Sequence, residues 1–171
     1  MSRLSPQPPD TPEARALVDR LTTGPRGTSV LAPDGSLVGP FPAMLLSPPV
    51  GDPLQALGAA LRYHSSLPDR ARELATLAIA THCRSPFEAA THRRLASALG
   101  CTAAQLDAVD SGGPVGDEYE DAVLTVTRAL LTTGDLDDEQ YTLLAEREIF
   151  ELTTLVGYYS LLALQMRVFR V

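Results

Sequence analysis

The sequence has no tryptophan, only 5% aromatic residues, and just two cysteines among its 171 residues. Two cysteines, Cys83 and Cys101, are too few for the disulfide framework of a small secreted protein, so we interpret them as reduced thiols. Residues 1–10 lack the apolar run of a secretory signal, and the longest apolar stretch, residues 149–166, is interrupted by polar side chains. These features predict a cytoplasmic protein without a membrane span.

The sequence also lacks runs of basic residues, and its formal net charge is −7. An acidic chain repels the phosphate backbone of nucleic acids, and no cluster of aromatic side chains provides a surface on which bases could stack. We therefore expect no nucleic-acid partner. The three histidines show no metal-ligand spacing, so no metal site is predicted.

Alanine and leucine dominate a composition that is 44% hydrophobic, and no segment shows the alternation typical of a strand. The pattern predicts an all-α fold. We expect residues 1–10 to form a disordered tail and residues 11–171 a single helical domain. Residues 24–51, rich in proline and glycine, are expected to be extended, either packing across the domain or a neighbouring subunit or lying as a surface loop.

Capping residues and helix breakers predict where the helices begin and end. Ser85 and Glu88 have the spacing of a capping box, with proline at the first helical position. The expected helices span approximately residues 11–23, 52–64, 68–83, 85–100, 102–109, 117–133, a short helix from 137, and 148–169.

Two ionisable residues, Glu73 and His92, fall on apolar helix faces in the predicted helices 68–83 and 85–100. Because so few residues connect these helices, they must fold back as an antiparallel hairpin, which would let the two side chains meet. A buried carboxylate and imidazole are costly unless paired. The residues alone allow either a structural Glu–His hydrogen bond or a chemical site.

The stretch Glu73 to His92, ELATLAIATHCRSPFEAATH, resembles the carboxymuconolactone decarboxylase and alkylhydroperoxidase-D-like family. Redox members carry a glutamate, eleven residues, Cys-x-x-Cys, three residues and a histidine. Here the glutamate and histidine keep that spacing, while Ser85 and Glu88 replace the two cysteines. GPFPAMLLSPPVG, GCTAAQLDAV and ELTTLVGYYSLLAL extend the resemblance over about residues 39–171. It implies the alkylhydroperoxidase-D-like helical fold with the hairpin at its centre, and a homo-oligomer, usually a trimer or hexamer.

Without the two cysteines, thiol peroxidase activity is disfavoured, and the resemblance points to the decarboxylase side of the family. It implies a cofactor-free acid–base enzyme, a decarboxylase or an isomerase or hydrolase of a small carboxylated lactone or keto acid. His92 would move the proton and Glu73 would set its tautomer and charge. The alternatives are a peroxiredoxin-like protein with a degenerate redox site and a non-catalytic oligomeric ligand-binding protein. The candidate substrate contacts are Glu88, Arg72, Tyr158 and Phe41. Arg94 is the other candidate cation, and both arginines can also be interpreted as solvent-facing. Tyr159 is the other candidate tyrosine, and either tyrosine can also be interpreted as a core residue.

Overall fold

The computed structural model describes residues 2–5 and 8–171, and within them the fold is all-helical, as predicted. In those residues, β pairing is limited to one isolated antiparallel bridge between Leu31 and Leu37. The helices, in chain order, are α1 (Pro12–Thr23), α2 (Phe41–Met44), α3 (Pro48–Tyr63), α4 (Asp69–His82), α5 (Pro86–Ala98), α6 (Ala103–Ser111), α7 (Glu118–Thr132), α8 (Asp138–Tyr141) and α9 (Glu146–Phe169).

Capping side chains begin several of these helices where the sequence places them. The Thr11 hydroxyl accepts from the backbone N–H of Ala14 at the start of α1. Thr102 and Asp137 each form a complete capping box, with Gln105 and Gln140 as the reciprocal partners. The corresponding helix predictions are confirmed because a cap is a local hydrogen bond between residues three apart.

The chain forms two compact units, residues 1–64 with 164–171 and residues 65–163. In the first unit, α1 buries Ala14, Leu17 and Leu21, and α2 buries Met44. The single domain expected for residues 11–171 stays a prediction. So does the disordered tail: residues 1, 6 and 7 of it lie outside the described residues, and the backbone N–H of Arg3 donates to Phe169 O at 2.8 Å.

The segment 24–51 is not extended, which corrects the prediction from its proline and glycine content. A 3₁₀ helix (Gly27–Val30) is followed by the Leu31–Leu37 bridge and then by α2. The Asp34 carboxylate accepts from the backbone N–H and the hydroxyl of Ser36, and so closes the turn inside the bridge. The short local hydrogen bonds available to such a segment fold it into successive turns.

Helix α3 begins at Pro48, four residues before its predicted start near Asp52. Pro48 and Pro49 occupy the first two helical positions, where the missing N–H groups cost nothing. Pro53, next to the predicted start, lies inside the helix instead. Gly51 makes this early start possible, since a Cβ there would lie 2.4 Å from the Met44 carbonyl oxygen.

The core of the second unit is built around α4, which packs against α5, α6 and α7. Every residue from Ala71 to Ala80 is buried. The alanines allow the neighbouring helices to approach closely, and Leu74 and Leu77 fill the space between them. This burial places Arg72 and Glu73 within the protein rather than at its surface.

Helix α9 is long and apolar enough to cross a membrane by length and composition, and 44% of its most apolar window is buried inside the protein. Leu152 and Leu155 are fully buried, as in the core helix of a globular protein. Phe150 on the same helix is 70% exposed. The helix therefore has one face in the core and another with apolar side chains in solvent.

Candidate active site

The turn between α4 and α5 folds them into the predicted hairpin. The backbone N–H of Ser85 donates to Ala80 O at 2.9 Å, and that of Arg84 donates to Thr81 O at 3.1 Å. This pair of bonds is a Schellman motif, which requires a left-handed residue at Arg84, where φ is 53°. The turn reverses the chain within three residues and brings the buried faces of α4 and α5 together.

Glu73 and His92 meet inside this hairpin. Nδ1 of His92 lies 2.6 Å from Oε2 of Glu73, and each residue is only 3% exposed. The predicted proximity of these two side chains is confirmed. The distance is that of a strong, charge-assisted hydrogen bond in which the ring nitrogen donates to the carboxylate.

Glu88 holds the other side of the same ring. Its Oε2 lies 3.1 Å from Nε2 of His92, and Glu88 is 4% exposed. The predicted capping box with Ser85 is wrong, because the Ser85 side chain makes no capping hydrogen bond. The backbone N–H of Ser85 is already bonded to Ala80 O, so the Glu88 carboxylate turns to the buried imidazole one helical turn away.

The cation of the site is Arg72, which is 7% exposed. Its guanidinium lies 2.8 Å from an Asp69 carboxylate oxygen and 3.7 Å from Oε1 of Glu73. The alternative interpretation of Arg72 as a solvent-facing residue is therefore wrong, whereas Arg94 is exposed. The sequence could not show this, because burial of the whole circumference of α4 depends on three neighbouring helices.

A tyrosine ring from α9 packs against the imidazole. The ring of Tyr159 meets that of His92 edge to face, with centroids 5.0 Å apart and an interplanar angle of 87°. Tyr158, the tyrosine favoured from sequence, packs against Tyr159 at 5.2 Å instead. Both were candidates, and the choice between adjacent residues depends on the rotation of α9 about its axis, which the sequence does not specify.

Phe41, the remaining candidate substrate contact, belongs to the first compact unit. Its ring lies under the Arg26 guanidinium, 5.6 Å from ring centroid to Cζ. Its role as a substrate contact stays a prediction.

The electrostatics of the site favour a protonated His92. Burial by itself would lower the pKa of His92, but its hydrogen bonds to Glu73 and Glu88 outweigh burial and raise the pKa above the ordinary value. An ionised carboxylate can only accept a hydrogen bond, so between two of them both ring nitrogens donate. The cations Arg72 and His92 then balance the anions Glu73 and Glu88, and the buried group is neutral overall.

The site is buried in the single chain, where Glu73, Glu88 and His92 are each no more than 4% exposed. Cavities of about 830 and 620 Å³ lie elsewhere among the described residues and are lined by other side chains. Within residues 2–5 and 8–171, no three His, Cys, Asp or Glu side chains are grouped to hold a metal ion. The two carboxylates lie at opposite nitrogens of one ring, so these groups do not converge on a common point.

Neither cysteine lies at the positions of the missing redox pair. Cys83 caps the C-terminal end of α4, with its Sγ 3.7 Å from the Ser160 hydroxyl oxygen. Cys101 is buried, and burial raises the pKa of its thiol. A buried thiol with a raised pKa is a poor nucleophile, and the two cysteines form no disulfide with each other.

Comparison with solved structures supports the fold over most of the chain. A protein of unknown function from Agrobacterium tumefaciens, described as a putative antioxidant defence protein AhpD, superposes with a TM-score of 0.67 and 18% identity, covering 78% of this chain and 96% of that one. A cysteine-to-alanine variant of the debrominase Bmp8 in complex with 2,3,4-tribromopyrrole superposes with a TM-score of 0.74 and 14% identity, covering 99% and 92%. At these identities the likeness shows a shared fold.

A search of curated proteins found no match to the sequence. The carboxymuconolactone decarboxylase family model matches residues 48–113, which contain Glu73, Glu88 and His92. This match and the alkylhydroperoxidase-D-like fold agree with the motif spacing, and residues 48–113 are therefore similar to the carboxymuconolactone decarboxylase family.

Proposed function

We propose that the protein is a cofactor-free acid–base enzyme that acts on a small carboxylated lactone or keto acid, as a decarboxylase or as an isomerase or hydrolase. The observation that carries this proposal is the imidazole of His92 held between the carboxylates of Glu73 and Glu88. A buried, doubly anchored histidine with a raised pKa is a proton store for chemistry near neutral pH.

In a decarboxylation, the carbon–carbon bond to the substrate carboxylate breaks and CO₂ leaves. The bonding electron pair stays on the substrate as an enolate, which then takes a proton at carbon. His92 supplies this proton from Nε2, because Nδ1 is committed to Glu73 at the shorter distance of 2.6 Å. The neutral imidazole keeps its Nδ1–H bond to Glu73 and regains a proton from solvent.

Arg72 supports the same chemistry through charge. Its guanidinium lies 3.7 Å from Oε1 of Glu73 and so offsets the negative charge of the carboxylate that holds Nδ1 of His92. Tyr159 closes the edge of the imidazole against water. An isomerase or a hydrolase of a lactone would use the same residues to move a proton next to a carbonyl group.

Two other functions remain alternatives. A thiol peroxidase is disfavoured because Ser85 and Glu88 stand where the redox members carry cysteines, and neither hydroxyl nor carboxylate reduces a peroxide. A non-catalytic binding protein would keep the same site and bind a carboxylated ligand without turnover. The debrominase with the same fold binds 2,3,4-tribromopyrrole in its cysteine-to-alanine variant.

The test is turnover by the full chain with carboxymuconolactone and with the β-keto acids acetoacetate and oxaloacetate. CO₂ release and deuterium incorporation from heavy water would report decarboxylation and carbon protonation. His92→Gln should lose activity, while His82→Gln, which changes an exposed histidine, should retain it. Absence of turnover with every compound, or full activity in His92→Gln, would exclude the proposal for these substrates.

A further inference from the structure

The Glu88 carboxylate occupies the position that a substrate needs. Its Oε2 lies 3.1 Å from Nε2 of His92, the ring nitrogen that does not face Glu73. Glu88 and His92 are both at least 96% buried, so no second acceptor reaches Nε2 while Glu88 remains in place. A substrate therefore has to take the place of this side chain rather than join it.

Charge balance defines which group can take that place. Arg72 and a protonated His92 carry two positive charges, and Glu73 and Glu88 carry two negative charges, all within the buried hairpin. Asp69 also contacts Arg72, at 2.8 Å, but its side chain is exposed and solvent screens its charge. A further buried anion would leave a net charge in a medium that solvates it poorly. Exchange of one carboxylate for another keeps the group neutral, whereas a neutral ligand in place of Glu88 would leave an unbalanced cation.

The Glu88 side chain has an alternative position at the start of its own helix. It lies in the first turn of α5, where the Ser85 side chain makes no capping hydrogen bond. A carboxylate in a first turn is stabilised by the helix dipole and by the N–H groups that lack helical acceptors. Pro86, two residues earlier, is exposed, so a rotated Glu88 side chain has a short path to solvent.

We propose that Nε2 of His92 is a carboxylate-binding subsite in which Glu88 is the resident occupant, displaced by the carboxylate of a small monoanionic ligand. Glu88 is thus an internal competitor that the ligand replaces. The identification of that ligand as a substrate rests on the proposed function, whereas the subsite itself does not depend on turnover. The subsite selects small monocarboxylates over their neutral amides.

The experiment removes the competitor and supplies a free carboxylate. Full-length wild type, Glu88→Ala and Glu88→Gln are titrated with formate and acetate, and acetamide is the neutral probe. The ¹⁵N resonance of His92 Nε2 and the melting temperature are followed. Formate should bind Glu88→Ala about tenfold or more tightly than wild type, since a tethered carboxylate competes at high effective concentration. It should also return the Nε2 resonance towards its wild-type position.

The two Glu88 variants and one control make the result decisive. Glu88→Gln keeps the size of the side chain but offers a neutral acceptor, so its formate affinity should lie between those of the other two proteins. Glu118→Ala, at the exposed first residue of α7, should bind formate as wild type does. If Glu88→Ala does not fold, the comparison of Glu88→Gln with wild type still decides the outcome.

Equal formate affinity in wild type and the Glu88 variants, or equal binding of acetamide, would overturn the proposal. Formate binding that leaves the Nε2 resonance unchanged would overturn it as well, because the ligand would then lie elsewhere. If formate binds as expected but no compound is turned over, the subsite stands and the enzymatic proposal fails. The two failures are therefore distinguishable.

Discussion

Nδ1 of His92 lies 2.6 Å from Oε2 of Glu73, although 19 positions separate the two residues along the chain. The bond crosses the hairpin between α4 and α5, and both side chains are buried. This hydrogen bond therefore contributes both to stability and to the proposed proton transfer, because the groups proposed to move a proton also hold the two central helices together.

Replacing His92 should cost stability as well as activity. His92→Ala leaves the buried carboxylates of Glu73 and Glu88 without their shared donor, and breaking a buried charged pair costs about 3–5 kcal/mol. Glu73→Gln keeps an acceptor and should cost less, about 1–3 kcal/mol. Urea unfolding measures both values. A loss below about 1 kcal/mol in His92→Ala would show that the ring is not held as described.

Glu73→Gln should lower kcat sharply even at temperatures where the variant is fully folded, because the neutral amide no longer holds the imidazolium. Equal kcat in Glu73→Gln and wild type, with substrate turnover established, would contradict the proposed role of Glu73.

The stability of the protein should decrease as pH rises through the raised pKa of His92. The folded chain binds this proton more tightly than the unfolded chain, in which histidine titrates near pH 6.5. The stabilising contribution is therefore complete below about pH 6.5 and is lost above the folded pKa. The groups facing the ring are Glu73 from α4, Glu88 from its own helix and Tyr159 from α9.

The measurement is the difference in unfolding free energy between wild type and His92→Gln from pH 6 to pH 9. This difference should shrink with rising pH. The exposed His82→Gln variant controls for the loss of a histidine elsewhere. A difference that grows with pH would mean that His92 is neutral in the folded protein.

Arg84→Gly should stabilise the hairpin turn. Arg84 has φ of 53° at a helix end that normally favours glycine, and left-handed backbone costs other residues about 1–2 kcal/mol. The net gain should be about 0.5–1 kcal/mol after the greater freedom of glycine in the unfolded chain. Gly100, with φ of 89° at the end of α5, is the matched control, and Gly100→Ala should destabilise. Thermal unfolding of both variants tests the signs.

Gly51→Ala should destabilise the contact between α2 and α3. The added Cβ would lie 2.4 Å from the carbonyl oxygen and 2.7 Å from the Cβ of Met44, and overpacking of this kind costs about 1–3 kcal/mol. Gly157, inside α9, has no atom within 4 Å of such a Cβ. Gly157→Ala should therefore be neutral or stabilising by up to about 1 kcal/mol, because alanine favours helix. A Gly51→Ala protein as stable as wild type would contradict the close approach of Gly51 to Met44.

We propose that the protein is a homo-oligomer, as family resemblance predicts. Phe150 on α9 is 70% exposed, and Leu161, three turns along the same helix, is 41% exposed. Light scattering should give a mass of three or six times 18.3 kDa. Phe150→Asp should shift the population towards the monomer if this face of α9 is the contact between subunits. A wild-type mass equal to that of one chain would exclude an oligomer.

Patterns in the chain were sufficient to predict the helical class, the caps that begin α1, α6 and α8, and the contact between Glu73 and His92. Each of these depends on hydrogen bonds or spacings within a few residues, or on a connection too short to permit anything but a hairpin. Such local constraints are present in the chain before it packs, so pattern and spacing are sufficient to find them.

The partners of the remaining site residues depend on how the helices pack, which the local patterns do not specify. Glu88 satisfies a cap motif in sequence but bonds His92, because the turn had already taken the Ser85 N–H. Arg72 is buried because other helices pack around α4, and Tyr159 of α9 lies against the imidazole, which no local signal specifies. A side chain with two possible hydrogen-bond partners pairs with the buried one, because a buried polar group without a partner costs more free energy than an exposed one. Burial itself depends on how the helices pack.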